Sequence, residues 1–182
     1  MAKYSKKESH KIEKAIIFMI KCFNLSNNNP KPVILHSTRV AMKIYELVAP
    51  VEYVIAAFLH DVVEDTKCTS RQIKKEFGSK VADIVEALTQ NYGYKNYKDR
   101  WLFAEKCINK IGKYGWLIKM IDARDNLPYY AGILKSKKRF HEMMWKHDLV
   151  IRNAKKYWSV LAEYKDYKKL NDSIVRKWKI KF

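Results

Sequence analysis

His60 and Asp61 stand side by side at the end of the apolar run Val54-Ile-Ala-Ala-Phe-Leu59, and Glu64 and Asp65 follow three and four residues after Asp61. If the helix continues, those carboxylates share its face. An imidazole and three carboxylates at the end of a core helix are costly to bury unless a metal ion or an ionic partner compensates them. Neutral imidazole with ionised carboxylate is a mixed N/O donor set that suits Mn, Fe, Zn or Mg. An Asp-rich helix end is ordinarily just solvated, so the cluster takes its meaning from two further residues. His36 sits near the start of the preceding helical segment. Asp122 lies in Ile118-Lys-Met-Ile-Asp-Ala-Arg-Asp-Asn-Leu127, a second apolar run that abruptly turns polar.

A histidine, then His-Asp, then a distant aspartate, each on an apolar helix, resembles the HD-domain metal phosphohydrolases. The order His60-Asp61-Val-Val-Glu64-Asp65-Thr66, Phe77-Gly78 and Asp122-Ala-Arg-Asp-Asn126-Leu127 is similar to the hydrolase domain of the bacterial stringent-response enzymes and to the small stand-alone alarmone hydrolases. Those enzymes remove the 3′-pyrophosphate from guanosine tetra- and pentaphosphate ((p)ppGpp). The resemblance spans Ile12 to Tyr130. It implies an all-α, single-domain helical bundle holding one divalent ion between helices, Mn²⁺ in the family, on His36, His60, Asp61 and Asp122.

Four protein ligands leave positions open for water and substrate on a five- or six-coordinate ion. Glu64 and Asp65 cannot all reach that ion from one helix. Their expected role, and the one the family assigns, is to orient and deprotonate the attacking water and to manage the leaving-group proton. Asn126, four residues from Asp122, shares its face and is expected to donate to the ribose or a phosphate. Lys119, Arg124 and Tyr129 are further candidates for substrate contact. Arg39 either reaches a phosphate or pairs with Glu64 or Asp65.

One departure concerns the loop before His36. The alarmone hydrolases carry an Arg-Lys pair there that helps hold the guanine nucleotide, whereas this chain has Ser26-Asn-Asn-Asn-Pro30, with Lys31 nearby. An adenosine alarmone, another purine nucleotide and simple nucleoside monophosphates therefore all stay open as substrates.

The elements that must position these residues read as helices throughout. Apolar spacing predicts a helix over His10–Phe23, then a loop from Asn24 to Pro32, and a second helix over Val33–Val48. The chain breaks at Ala49-Pro50, and Val51–Val63 forms the organising helix. Thr69-Ser70 caps a short helix over Arg71–Glu76, with Gly78 as its stop, and Ser79–Leu88 follows. Thr89–Lys98 reads as a loop. Asp99 is a candidate cap for Arg100–Ile111, and Trp116–Leu127 carries Asp122 and ends at Pro128. Arg139–Tyr164 reads as one long helix and Leu170–Phe182 as a last, basic one. Residues 1–9 are expected to be a flexible start, 10–130 the phosphohydrolase core, and 131–182 basic helices packed on it in the same domain. Asp125 is read as structural, paired with Arg124, and His10, His141 and His147 as surface residues.

Composition sets outer limits. A chain of 182 residues with 48% hydrophobic content can bury a real core and is not generally disordered. No run reaches a membrane span, and no long apolar region follows the first residues as in a signal peptide. Cys22, Cys68 and Cys107 are odd in number and widely spaced, so three free thiols in a reducing cytoplasm are expected. A net charge of +18 attracts polyanions, the purine nucleotide included. The stretch from Lys135 holds 15 Lys and Arg against 5 Asp and Glu, with Trp145, Trp158 and Trp178 among them. Binding nucleic acid through this stretch is the competing function, beside a nucleotidase of the wider HD group. The sequence leaves the oligomeric state open.

Overall fold

The computed structural model describes residues 3–25, 31–91 and 93–178. The chain is all-α: among the described residues there are ten helices and no strand. It divides into two compact units, residues 1–90 and 91–182. That division falls inside the Thr89–Lys98 loop, and the helix carrying Asp122 packs on the three other helices of the second unit.

The first unit contains α1 (Lys6–Leu25), α2 (Val33–Glu46), α3 (Val51–Leu59), α4 (Val62–Asp65), α5 (Ser70–Phe77) and α6 (Ser79–Leu88). At its centre is α3, against which α1, α2 and α6 all pack. Its residues from Val54 to Leu59 are buried without exception. A helix apolar on every side belongs in the middle of a bundle. Burying Phe58 and Leu59 alone contributes roughly 1.5–3 kcal/mol each.

Several boundaries differ from the sequence reading, each for a local reason. α1 starts at Lys6 rather than His10, because Ser5 and Glu8 form a capping box. The Glu8 carboxylate accepts from Ser5 N at 2.8 Å, and Ser5 Oγ accepts from Glu8 N at 3.3 Å. Tyr4, just outside it, is buried and donates its hydroxyl to the Ala49 carbonyl at 2.7 Å. Residues 1 and 2 of the expected flexible start lie outside the described residues, as do residues 26–30 of the Asn-rich loop. α2 ends at Glu46, short of the expected Val48, where the backbone turns to φ 54°. Thr69 caps α5 as expected, in a full capping box with Gln72.

The second unit contains α7 (Tyr97–Ile111), α8 (Lys113–Ile133), α9 (Lys137–Trp158) and α10 (Ala162–Lys177). Asn96 rather than Asp99 caps α7, its Oδ1 accepting from Lys98 N at 2.8 Å. α8 does not stop at Pro128 but runs through it to Ile133. Proline removes one helical hydrogen bond, and the packing of α8 against α7, α9 and α10 outweighs that loss. The expected 139–164 helix instead breaks at 159–161, and α10 begins at Ala162 rather than 170. Residues 179–182 of the expected last helix are outside the described residues. No helix among those described is long and apolar enough to cross a membrane.

Cysteine pairing corrects the expectation of three free thiols. Cys22 near the end of α1 and Cys68 after α4 form a disulfide across 46 residues, and Cys107 is free. Spacing in the sequence gives no sign of this pair; the packing of α1 on α4 brings it together. Closing a loop of that size stabilises the folded state by about 4 kcal/mol in the chain-entropy account. Reduction with dithiothreitol, or Cys22→Ser, is therefore expected to lower the urea midpoint. An unchanged midpoint on reduction would show that the bond adds nothing.

Candidate metal centre

His36 lies on the inward stripe of α2, which runs Val33, His36, Ser37, Val40, Ala41, Ile44. It is only 2% exposed. His60 follows the last residue of α3 and is as deeply buried. Its Nδ1 donates to the Ala57 carbonyl at 2.8 Å, which fixes the tautomer with the lone pair on Nε2.

The helix does not continue through this point as the sequence suggested. α3 stops at Leu59 and α4 starts at Val62, with His60 and Asp61 in the turn between them. In an unbroken helix adjacent side chains diverge and do not face each other. Here they converge: His60 Nε2 is 3.2 Å from Asp61 Oδ1. His36 Nε2 approaches the other oxygen, Oδ2, at 3.6 Å. Two imidazole nitrogens and one carboxylate thus face each other between α2 and the α3–α4 turn, a donor set of the kind that holds a divalent ion. A lysine joins them, since Lys31 Nζ is 3.1 Å from Asp61 Oδ2.

Glu64 and Asp65 stand one turn further on, in the single turn of α4, both half-buried. The Asp65 amide donates to the Asp61 carbonyl at 2.9 Å, so the helical register resumes from Asp61. Glu64 Oε2 accepts from the Gln90 amide at 3.2 Å, which ties this turn to the end of α6.

Within the second unit, Asp122 sits on α8 with Asn126 one turn away, on the same face as expected. Asn126 Nδ2 donates to Asp122 Oδ1 at 2.5 Å, and Lys119 Nζ is 2.9 Å from Oδ2. All three residues are buried. The Lys119 ammonium also lies 5.4 Å from the centre of the Trp101 ring, a contact that helps a lysine tolerate burial. The remaining candidates are placed differently. Arg124 pairs with Asp166 on α10 at 2.8 Å, not with Asp125, and both partners of this pair are solvent-exposed. Arg39 is exposed on α2, and Tyr129 is half-buried beside Tyr130.

The structure also corrects His147, which is fully buried rather than at the surface. Its Nδ1 shares a hydrogen bond of 2.5 Å with the hydroxyl of Tyr167, itself fully buried on α10. The signal was in the sequence, because His147 falls on the stripe Phe140, Met143, Met144, His147, Val150, Ala154. Burial pushes the imidazole well below its ordinary value; Lys146 and Lys119 deepen the fall and Asp122 opposes it. Burial likewise pushes the Tyr167 phenol well above its ordinary value.

A family model described as HD domain matches residues 15–106. The chain belongs to the HD domain family. Over 60 residues it is 47% identical to a guanosine-3′,5′-bis(diphosphate) 3′-pyrophosphohydrolase of Aquifex aeolicus, covering 33% of this chain and 9% of that protein. Over 119 residues it is 33% identical to the protein of the same name in Haemophilus influenzae, covering 60% of this chain and 17% of that one. It thus spans less than a fifth of the length of either relative.

Two solved structures share the HD fold. One, described as a metazoan ortholog of SpoT that hydrolyses ppGpp, superposes with a TM-score of 0.66 at 22% identity over 96% of both chains. The other, from Listeria monocytogenes, gives 0.64 at 26% identity, over 78% of this chain and 99% of its own.

One consequence for stability follows from His147. A histidine whose folded-state value is depressed binds fewer protons folded than unfolded, so stability is complete above about pH 6.5 and lost as pH falls below it. The urea midpoint is expected to drop between about pH 8 and about pH 5. His147→Asn, which keeps an acceptor near the Nδ1 position, should make that drop smaller. An equal drop in both proteins would remove His147 as its cause.

Proposed function

We propose that this HD-domain chain is a divalent-metal-dependent phosphohydrolase that removes the 3′-pyrophosphate from an alarmone-type purine nucleotide, (p)ppGpp or its adenosine counterpart. The observation that carries the reading is the convergence of His36 and His60 on Asp61, with Glu64 and Asp65 one turn away. Similarity to two proteins named for 3′-pyrophosphate hydrolysis supports the substrate class. His36, His60, Asp61 and Asp122 would hold the ion, and the mixed N/O donor set suits Mn²⁺. When bound, the ion acidifies a water and polarises the phosphoryl oxygen.

The chain's own residues do the rest. Glu64 and Asp65 orient the attacking water and accept its proton as it adds to the phosphorus on the 3′-oxygen. The bond between that phosphorus and O3′ breaks, pyrophosphate departs, and a proton returns to the 3′-oxygen from the same carboxylate pair. Asn126 donates to the ribose or a neighbouring phosphate, and Lys119 offsets phosphate charge nearby. The Ala57 carbonyl holds the His60 ring in its tautomer throughout.

The deciding experiment measures phosphate and pyrophosphate release from guanosine and adenosine 3′-pyrophosphorylated nucleotides and from ordinary nucleotides, with Mn²⁺ and with EDTA. Pyrophosphate is expected only from the 3′-pyrophosphorylated compounds and only with metal. Activity confined to ordinary nucleotides would make the protein a nucleotidase instead. Metal binding without any turnover would turn attention to nucleic acid and the basic stretch from Lys135.

Variants separate the roles within the cluster. Asp61→Ala is expected to lose metal and activity together. Glu64→Ala should lose activity by about a hundredfold while retaining metal, as for removal of a general base. Equal loss of metal in Glu64→Ala would refute this division.

A further inference from the structure

The first unit buries a lysine in the middle of its metal-ligand chemistry. Lys31 precedes α2 by two residues and is 8% exposed. Its ammonium is 3.1 Å from Asp61 Oδ2, the same oxygen that His36 Nε2 approaches at 3.6 Å. A lysine at this depth persists only where its charge is matched. Pro32 follows it as the N-cap of α2 with φ −69°, and its carbonyl accepts from the His36 amide at 3.0 Å. The backbone that carries Lys31 is therefore fixed to the same helical turn that carries His36.

Two properties of this ammonium point the same way. It is a cation on the carboxylate oxygen that a divalent ion on His36 and Asp61 would also use, so lysine and ion compete for Oδ2. It is also the sole cationic side chain between Asn24 and Pro32, a loop without arginine. A phosphate drawn to an ion at His36 and Asp61 arrives within the reach of a flexible four-carbon stem carrying three donors.

Building on the phosphohydrolase reading, we propose that Lys31 is a substrate-binding residue with two linked effects. It weakens the hold of the site on its divalent ion by sharing Asp61. With a divalent ion bound at Asp61, the Lys31 ammonium would be released from that carboxylate and donate instead to a phosphate oxygen of the pyrophosphate group. Substrate then binds the loaded site more tightly than the ion alone would hold it.

The test reads two affinities without turnover, using the full chain. Mn²⁺ binding is measured by equilibrium dialysis. Binding of methylenediphosphonate, a pyrophosphate that cannot be hydrolysed, is measured calorimetrically on the Mn²⁺-saturated protein. For Lys31→Met, Mn²⁺ is expected to bind about fivefold tighter and the diphosphonate about tenfold weaker, the latter equal to about 1.4 kcal/mol. Lys31→Arg should recover most of the diphosphonate binding.

This opposed pair of shifts is what a merely structural lysine would not give, since loosening the fold weakens both ligands. Weaker Mn²⁺ binding in Lys31→Met, or unchanged diphosphonate binding, overturns the proposal. Lys31→Gln carries the same expectations and replaces Lys31→Met if that variant does not fold. A wild type that turns over no alarmone would defeat the phosphohydrolase reading but leave these two affinities to decide Lys31. Turnover by the wild type, with both affinities unmoved in the variants, would reject Lys31 alone.

Discussion

A carboxylate inside a protein must be matched by positive charge or by donors, and half-buried Asp61 and buried Asp122 show how this chain meets that demand. Asp61 is matched by the Lys31 ammonium, with the imidazoles of His36 and His60 beside it. Asp122 is held by the Lys119 ammonium and the Asn126 amide, with Lys119 in turn resting over Trp101. Neither aspartate is supported by the apolar helix beneath it; each helix provides depth, and polar neighbours make the depth tolerable. The apolar perimeter of α3 is what sets that depth in the first unit. A helix with a polar face would have left His60 near water, where an imidazole and a carboxylate have little reason to hold one geometry.

The break between α3 and α4 converts that depth into chemistry. Adjacent residues of a helix point about 100° apart, so a continuous helix through His60 and Asp61 would separate them. Two residues of turn let both face His36, and Val62, fully buried, anchors the chain again immediately afterwards. The hydrogen bond from the Asp65 amide to the Asp61 carbonyl then places Glu64 and Asp65 at a fixed step from the cluster. Two of the donors and a pair of carboxylates thus arise from the six consecutive residues His60 to Asp65.

How much of this could be read in advance depended on the range of the interaction. Periodicity found α2 with His36 near its start, the limits of α6, and the shared face of Asp122 and Asn126, all decided within one or two turns. The Thr69 cap was equally local. The Ser5–Glu8 capping box and the inward position of His147 were just as local and were missed only because polar residues were read as surface. The disulfide, the passage of α8 through Pro128 and the junction of α9 with α10 were not legible, since each depends on which helix packs on which. The interruption at His60-Asp61 has no proline or glycine to announce it.

The bond between Cys22 and Cys68 has a topological consequence. It closes residues 22–68 into a covalent ring that contains His36, His60, Asp61, Glu64 and Asp65, every chemical group that the first unit contributes. A ring of this kind cannot be divided by one cut. A backbone nick anywhere inside it leaves the two pieces joined through sulfur, and a cut at residues 47–50, between α2 and α3, leaves α2 tethered to the α3–α4 turn by that bond.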